Sequence, residues 1–370
     1  MKRSGLWLAL AALAATGATV TAAPLGLPPV PIPADNPQTP AKIKLGDRLF
    51  HDERFSADGK VSCATCHEES KAFTDHRKVS KGFRDLTGTR NAPTVINSAY
   101  MATLFWDGRE PDLEGQSKQP SVNPVEGGLP DHQPIIDTIR KDKQYMAAFK
   151  DVFGVQPDAI TMDHVAKAIA SFERTIVAGD SPFDRYQYGG DKTAMTDAQV
   201  RGLDLFRNKA RCVSCHTIEE TQALFTDNRF HNIGIGFKEI RGKEEETAEQ
   251  FVLSKRQGAD VDKAVLTDIN VSELGRFAVT ENITQVGAFK TSTLRNIAVT
   301  QPYMHDGSLE TLEDVVDFYN NGGRLKDTDP LSPYQTGGIR PLDLTDDEKK
   351  DLVAFLEALT SPQFEPKAGK

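Results

Sequence analysis

The feature that most constrains this chain is a five-residue pattern, C-x-x-C-H, that occurs twice. The copies are Cys63-Ala64-Thr65-Cys66-His67 and Cys212-Val213-Ser214-Cys215-His216. Two cysteines at this spacing can form thioethers with the vinyl groups of one porphyrin, and the adjacent histidine can then ligate the iron. One copy alone could be a redox pair or half of a zinc site. Because the two copies use all four cysteines, they predict two covalently bound haem c groups.

The N-terminus is typical of a cleavable secretory signal, which we place at residues 1–23. It begins Met1-Lys2-Arg3, continues through an apolar stretch at 6–15, and reaches small residues at 20–23. A membrane anchor is the alternative, but the apolar stretch is short for a bilayer span. Covalent haem attachment in bacteria also requires export. We therefore expect a periplasmic protein without a transmembrane segment after cleavage.

Length and charge narrow the class of protein further. A chain of 370 residues suggests two domains. The net charge is −9, and it falls by two more when Lys2 and Arg3 are removed with the signal. Nucleic acid is therefore excluded as an expected partner. A small periplasmic redox protein fits better as a partner.

The rest of the chain predicts a mainly α-helical protein with two cytochrome-c-like haem domains. Seven prolines in residues 24–40 indicate an extended leader without a core of its own. A turn-rich link at 179–191 separates an N-terminal domain, 41–185, from a C-terminal domain, 186–370.

Individual segments give further expectations. Apolar spacing predicts a helix that starts at Thr161 and stops at Gly179, and a capping box of Thr345 with Glu348 starts the last helix. The polar stretch 242–249 is predicted to be a solvated loop.

The two halves of the chain resemble each other beyond the cysteine motifs. Residues 46–50 resemble 202–206 ahead of the motifs, and Arg90-Asn91 matches Arg295-Asn296 after them. Further on, Trp106-Asp107-Gly108 matches His305-Asp306-Gly307. These matches predict an internal duplication of a haem-binding unit.

The duplication predicts that the two haem irons differ on their second axial face. Seven residues after Leu312 is Tyr319, and seven residues after Leu113 is Pro120. A phenolate can ligate ferric iron and a proline cannot, so a closed C-terminal haem and an open N-terminal haem are expected. An ordinary core tyrosine at Tyr319 is the alternative at this point.

These motifs together resemble the bacterial dihaem cytochrome c peroxidases, including the MauG-type enzymes of methylamine utilisation. The resemblance covers nearly the whole mature chain. It rests on both haem motifs and on the segments 90–94, 105–109, 123–126, 275–277 and 294–303.

The resemblance implies roles for matching residues. The N-terminal haem would be the peroxide site, covered by Gln116, Pro120 and Glu126, with Glu126 as acid and base. The C-terminal haem would relay electrons, with Trp106 between the haems. A calcium ion between the haems is implied at a further set of residues, Asn91, Thr300 and Pro302.

The sequence departs from the family pattern in two places. Phe83 stands where many family peroxidases have a histidine that caps the N-terminal haem, and His76 is nearby at another offset. Tyr319 stands where typical peroxidases have methionine and MauG-type proteins have tyrosine. Met304 and His231 are the other candidates at the C-terminal haem, although His231 is expected to pack near the haem edge or bond a propionate.

We therefore expect a periplasmic dihaem peroxidase that reduces hydrogen peroxide at the His67 haem, with electrons relayed through the His216 haem. A small cytochrome or copper protein would donate the electrons. The alternative is a MauG-type enzyme that uses peroxide to oxidise aromatic residues of a partner protein. A non-catalytic dihaem electron carrier is a further alternative. Since family peroxidases are often dimers, a homodimer is also expected.

Overall fold

The computed structural model describes residues 23–326 and 328–365, so the predicted signal peptide lies almost wholly outside the described part. The described chain is built mainly of short α-helices, as predicted. Its strands are β1, Phe230–His231, and β2, Phe289–Lys290, which pair antiparallel.

In the N-terminal half, two helices pack closely on each other against a core of aromatic and aliphatic side chains. The helices of this half are α1 Pro40–Phe50, α2 Cys63–Cys66, α3 Leu113–Gln116, α4 Gln119–Val122, α5 Gln133–Lys141, α6 Lys143–Phe153, α7 Met162–Glu173 and α8 Pro182–Gln187. Helices α1 and α7 pack closely because Gly46 has no side chain. A Cβ at Gly46 would lie 1.9 Å from the carbonyl oxygen of Ala168.

The C-terminal half repeats this helix pair. Its helices are α9 Asp197–Arg207, α10 Phe237–Ile240, α11 Glu244–Arg256, α12 Val261–Thr267, α13 Ile269–Glu273, α14 Phe277–Thr280, α15 Leu312–Asn320 and α16 Asp346–Glu357. Here α9 packs on α16, and a Cβ at Gly202 would lie 1.9 Å from the carbonyl oxygen of Asp351. The capping box predicted for Thr345 and Glu348 is present at the start of α16.

Helix α7 ends earlier than predicted. It begins after its N-cap Thr161, as expected, but it ends at Glu173 rather than at Gly179. The next residues are Arg174 and the β-branched run Thr175, Ile176 and Val177, which has a lower helix propensity. The amide of Ile176 bonds instead to the carbonyl of Glu173, as in a tight turn.

The prediction of a solvated loop at 242–249 is wrong. Helix α11 begins at Glu244, and the three acidic residues of its first turn interact favourably with the positive end of the helix dipole. Helices α10 to α14 form a satellite core of their own, in which Phe251 and Phe277 are buried. This helical insertion packs against the N-terminal half, where the Arg90 guanidinium donates to Ser272 Oγ at 3.1 Å.

The proline-rich leader wraps over both halves. The carbonyl of Gly26 accepts a hydrogen bond of 2.6 Å from Arg295 in the C-terminal half. Asn36 is fully buried and donates to Glu114 in the N-terminal half at 2.6 Å. The leader therefore buries its own polar groups against the two halves, and it needs no core to be held in place.

The division between the predicted domains stays a prediction. Residues 185 and 186 lie inside α8, and Phe183 of that helix packs in the core of the C-terminal half. Within residues 23–326 and 328–365, no helix combines the length and the apolar character that a bilayer span requires.

Candidate haem sites

The N-terminal C-x-x-C-H motif folds as one helical turn with its histidine fixed from behind. Helix α2 begins after Ser62, whose side chain forms a capping box with Thr65. The Nδ1–H of His67 donates to the carbonyl of Phe73 at 3.2 Å. Since Nδ1 carries the proton, Nε2 keeps its lone pair for an iron ion. Burial lowers the pKa of His67, which keeps the imidazole neutral as a ligand must be.

The C-terminal motif is arranged in the same way. The Nδ1–H of His216 donates to the carbonyl of Phe225 at 2.8 Å. Both acceptors, Phe73 and Phe225, have positive φ angles of 57° and 52°. Side chains rarely adopt this conformation, and it turns each carbonyl toward the histidine of its motif. Phe225 is held by an edge-to-face cluster with Phe183, at a ring-centroid distance of 5.1 Å.

The cysteines favour thioether attachment over a thiolate site. Burial raises the pKa of Cys66 and of Cys212 to about 12, and it also raises that of Cys63. A zinc or redox site requires thiolates, which these surroundings disfavour. A thioether sulfur is neutral, so its burial carries no such cost.

A single cavity brings together the residues predicted for the N-terminal haem. It encloses about 1550 Å³ of empty space, part of which is open to solvent. The predicted residues in its wall are Cys63, Cys66, His67, Trp106, Gln116, Pro120 and Glu126. Two neutral thiols, one imidazole with a free Nε2, and apolar walls fit a covalently bound porphyrin. The donor set of this cavity therefore agrees with the haem c prediction.

Glu126 is a buried carboxyl in this cavity with an unusual affinity for protons. Its Oε2 has no hydrogen-bond partner among the described residues. Burial raises its pKa to about 7, with a further contribution from Asp262, while Arg109 opposes the shift. Its main chain is fixed, since the amide of Phe83 donates to the Glu126 carbonyl at 2.6 Å. A positioned carboxyl with a pKa near neutrality is suited to general acid–base catalysis.

At position 120, in the wall of the His67 cavity, the chain offers no side-chain ligand for an iron ion. Helix α3 ends at Gln116, and α4 begins at Gln119 with Pro120 in its first turn. Proline has no polar side-chain atom that could ligate iron.

Arg109 and Asp262, for which the sequence predicted no role, support the wall of the His67 cavity. The guanidinium of Arg109 is bonded to Asp107 at 3.0 Å and to Asp262 at 2.8 Å. Asp262 also accepts from Asn123 at 2.8 Å, at the start of the loop that carries Glu126. Arg109 lies in the segment 105–109, which carries part of the family resemblance, so the sequence offered a signal for it. Asp262 lies in the helical insertion, where no sequence signal indicates a role.

At the C-terminal motif, the structure places Tyr319 near the two cysteines. Burial raises the pKa of its phenol. Met304 and Tyr319 both pack against the hydrophobic core of the C-terminal half.

His231 lies beside the same motif, with its Nε2 at 2.8 Å from Asp227. Hydrogen bonds to a free Cys215 and to Asp227 raise its pKa, and attachment of Cys215 to haem removes the first of these two contributions. Cys215, Asp227 and His231 have ligand atoms within 4.8 Å of one another, as in a metal site. Because the motif attaches Cys215 to haem as a thioether, this set lacks the thiolate that a metal site would need.

Of the remaining candidates, Asn91 lies in the cavity wall, whereas His76, Phe83, Thr300 and Pro302 lie outside it. His76 is exposed, and its Nε2 lies 3.0 Å from the carbonyl of Val299, whereas Phe83 contacts Gly128. The Nδ2 of Asn91 donates to the carbonyl of Arg77 at 2.9 Å. The side-chain oxygen of Asn91 is therefore the atom that could ligate a calcium ion. Calcium at Asn91, Thr300 and Pro302 therefore stays a prediction.

Known proteins resemble this chain over nearly its whole length. The model of the family described as di-haem cytochrome c peroxidase matches residues 40–193. Cytochrome-c peroxidase IdrP1 of Denitromonas iodatirespirans is 38% identical over 371 residues, covering 95% of this chain and 92% of the relative. Methylamine utilization protein MauG of Methylorubrum extorquens is 35% identical over 330 residues, with coverages of 89% and 81%. A crystal structure described as a MauG-like protein associated with microbial copper homeostasis superposes with a TM-score of 0.73 at 33% identity, with coverages of 95% and 96%.

Proposed function

Because this chain belongs to the di-haem cytochrome c peroxidase family, whose members are oxidoreductases acting on peroxide, we propose that it reduces hydrogen peroxide to water at the haem of His67. The observation that carries this proposal is the cavity shared by His67 and Glu126. The haem that Cys212, Cys215 and His216 would hold would relay electrons to this site. The periplasm is the proposed location, supported by the N-terminal sequence and by the two c-type attachment motifs.

The chain's residues hold the cofactor and move the proton. Cys63, Cys66 and His67 would hold the haem, whose iron would supply the redox chemistry toward peroxide. Glu126 takes a proton from the near oxygen of peroxide and delivers it to the leaving oxygen. With a pKa of about 7, it exists in both protonation states at neutral pH. Gln116, in the same wall, offers an amide for hydrogen bonds to the bound oxygens.

The C-terminal site is proposed to be closed by Tyr319, in keeping with an electron-relay role. An internal duplication is supported by paired turns in both halves, such as the antiparallel bridges Leu104–Glu110 and Tyr303–Leu309. Within the duplicated unit, Pro120 and Tyr319 correspond. A hard phenolate oxygen favours the ferric state and lowers the reduction potential.

Trp106 is proposed to connect the two sites. Its Nε1–H donates to the carbonyl of Asn91 at 2.8 Å, and its own carbonyl accepts from the amide of Lys290 at 2.8 Å. The amide of Asn91 in turn donates to the carbonyl of His305 at 2.8 Å. Trp106 is thus bonded into both halves. A calcium ion at Asn91, Thr300 and Pro302 would stiffen this junction further.

A MauG-type activity is the second candidate, favoured by Tyr319 at the C-terminal site. In this variant the electrons come from aromatic side chains of a partner protein, and the partner is thereby modified. The N-terminal chemistry assigned to Glu126 is the same in both variants. The two candidates therefore differ in the electron donor only.

Electron paramagnetic resonance of the oxidised protein tests the open site, and turnover tests the donor. We expect one high-spin ferric signal for the His67 haem and one low-spin signal for the His216 haem. The absence of any high-spin signal would falsify the open-site assignment. Rapid peroxide turnover with reduced cytochrome c supports the peroxidase, whereas peroxide consumption that is slow with cytochrome c supports protein modification.

A further inference from the structure

A second buried carboxyl lines the cavity of His67, on helix α7. Glu173 is 5% exposed, and its Oε2 has no hydrogen-bond partner among the described residues. It continues a stripe of side chains that faces the cavity at helical spacing: Met162, Val165, Ile169 and Glu173. Three members of the stripe are apolar, as expected for a porphyrin wall. The fourth is a carboxyl in the last turn, where the helix dipole disfavours a negative charge.

The nearest arginine does not neutralise Glu173. Arg174 donates from both of its terminal nitrogens to Glu114 on α3, at 2.7 and 2.8 Å. Lys42, on the adjacent α1, donates to Asn36 at 2.8 Å and not to Glu173. Burial therefore dominates, aided by Glu114 and opposed by Arg174, and it raises the pKa of Glu173 to about 8.

The peroxide reaction requires protons that Glu126 cannot supply on its own. Reduction of one hydrogen peroxide to two waters consumes two electrons from an external redox protein and two protons. Because Glu126 returns to the leaving oxygen the proton that it took from the near oxygen, its net contribution is zero. A further group must therefore pass protons from solvent into the cavity.

Glu173 is the carboxyl of the cavity wall that suits this task. The other carboxyls of the described wall are Glu126 and Asp52. Burial tends to raise the pKa of Asp52, but hydrogen bonds from Arg54 and Tyr145 outweigh it and keep Asp52 ionised. The arginines of the wall do not release their protons in proteins.

We propose that Glu173 holds a proton inside the cavity at neutral pH and supplies it, through water, to the oxygens of reduced peroxide. Each supplied proton leaves a carboxylate, which takes up a proton from solvent before the next turnover. This role rests on the proposed peroxidase function. It makes Glu173 a second proton donor of the cavity beside Glu126.

Infrared spectroscopy of the holoenzyme tests the protonation directly. The oxidised wild-type protein should show a carboxylic-acid C=O band that shifts in D₂O, that is lost in Glu173→Gln and that remains in Glu126→Gln, because Glu126 is itself partly protonated at neutral pH and contributes a separate band. The matched control is Asp163→Asn, a carboxyl-to-amide change on the exposed face of the same helix, which should keep the band. Glu173→Asp should keep a band as well. Unchanged haem absorption spectra establish that the variants have folded.

Rapid-mixing measurements test the supply of protons. Glu173→Gln should slow peroxide reduction at pH 7 at least about tenfold and increase the solvent isotope effect, and Asp163→Asn should change neither. A Glu173→Gln spectrum that has lost no carboxylic-acid band, or a rate within about twofold of wild type, overturns the proposal. A wild-type protein that consumes no peroxide would instead overturn the peroxidase function, and the infrared band would still report the protonation of Glu173.

Discussion

The two C-x-x-C-H motifs hold their histidines by the same hydrogen bond, but the residues that surround the two motifs differ. His67 and His216 each donate from Nδ1 to the carbonyl of a phenylalanine with a positive φ. The N-terminal cavity then adds Glu126, whereas the C-terminal motif has Tyr319 beside its cysteines. The comparison teaches that the two motifs share their attachment geometry, and that residues far downstream of each motif distinguish the two sites.

The largest expected effect is the loss of one spectroscopic component in Tyr319→Phe. Without a phenol, the proposed ligand of the C-terminal iron is gone, so the low-spin signal of the His216 haem should disappear or change completely. The high-spin signal of the His67 haem should stay. The matched control is Tyr303→Phe, which removes only a hydrogen bond to the carbonyl of Ile297. An unchanged low-spin signal would reassign the ligand to Met304 or His231.

Glu126→Gln should slow peroxide reduction by about 10²- to 10⁴-fold while both haem signals are retained. The amide fills the same space but cannot take up a proton. Stopped-flow measurement of peroxide consumption checks this outcome. Glu69→Gln, an exposed change near the same motif, is the control and should leave the rate unchanged. A rate of Glu126→Gln close to that of wild type would contradict the acid–base role by which we distinguish the His67 site from the His216 site.

The pH profile sharpens the same contrast. Glu126 accepts a proton only as a carboxylate, and its pKa is about 7. The wild-type rate constant for peroxide should therefore rise about tenfold between pH 6 and pH 8, and that of Glu126→Gln should lack this rise. A wild-type rate that is flat across this range would contradict the role of Glu126 as base.

The structure also has two buried arginine–aspartate clusters, and breaking them should have different functional consequences. Asp107→Asn removes the anion that Arg90 and Arg109 share, so that Arg109 keeps only Asp262, and Asp184→Asn leaves Arg295 without its anion. Each change should lower the free energy of unfolding by about 3–5 kcal/mol in chemical denaturation. Only the Asp107 variant should also alter the pH profile of peroxide reduction, since Arg109 acts on Glu126.

The contribution of Asp107 has a definite pH dependence. Burial alone would raise its pKa, but Arg109 and Arg90 hold it at about 2. Because the unfolded value is about 3.9, the stabilisation is complete above that pH and is lost as the pH falls toward 2. Wild type and Asp107→Asn should therefore converge in stability on acidification. Parallel stability curves down to that range would contradict this assignment.

The smallest expected effects come from the helix pairs, where the two halves should respond alike. Gly46→Ala and Gly202→Ala each place a Cβ 1.9 Å from a backbone oxygen of the partner helix. Each should cost about 1–3 kcal/mol of stability, measured by thermal or chemical unfolding. Gly337→Ala, where a Cβ meets nothing within 4 Å, should change stability by less than about 0.5 kcal/mol. Unequal costs would show that the halves differ in packing as well as in chemistry.

Much of the site could be predicted from sequence because it depends on local spacing. The two haem motifs, the family and the helical class follow from residues close together in the chain. The placement of Gln116, Pro120 and Glu126 with His67 in one cavity agrees with the sequence prediction, while their roles stay proposals. The C-terminal helix and its capping box were also predictable, since a cap depends on residues three apart.

The rest could not be predicted because it depends on contacts distant in sequence. Asp262 reaches Arg109 from the helical insertion, and the sequence predicts a loop for one part of that insertion, 242–249, because its acidic residues resemble a solvated segment. Glu173 reads as an ordinary polar residue at the end of a helix. The pKa of Glu173 is raised because the side chain is buried and because Arg174 is bonded to Glu114 instead.

The leader has a consequence for the order in which the molecule is assembled. The carbonyl of Gly26 is bonded to Arg295, 269 residues later in the chain. Synthesis proceeds from the N-terminus, so the first segment to emerge must wait for the C-terminal half before it can dock. During that interval the leader is undocked, and both cysteine motifs are synthesised before it can dock. The earliest residues of the leader are therefore among the last to settle.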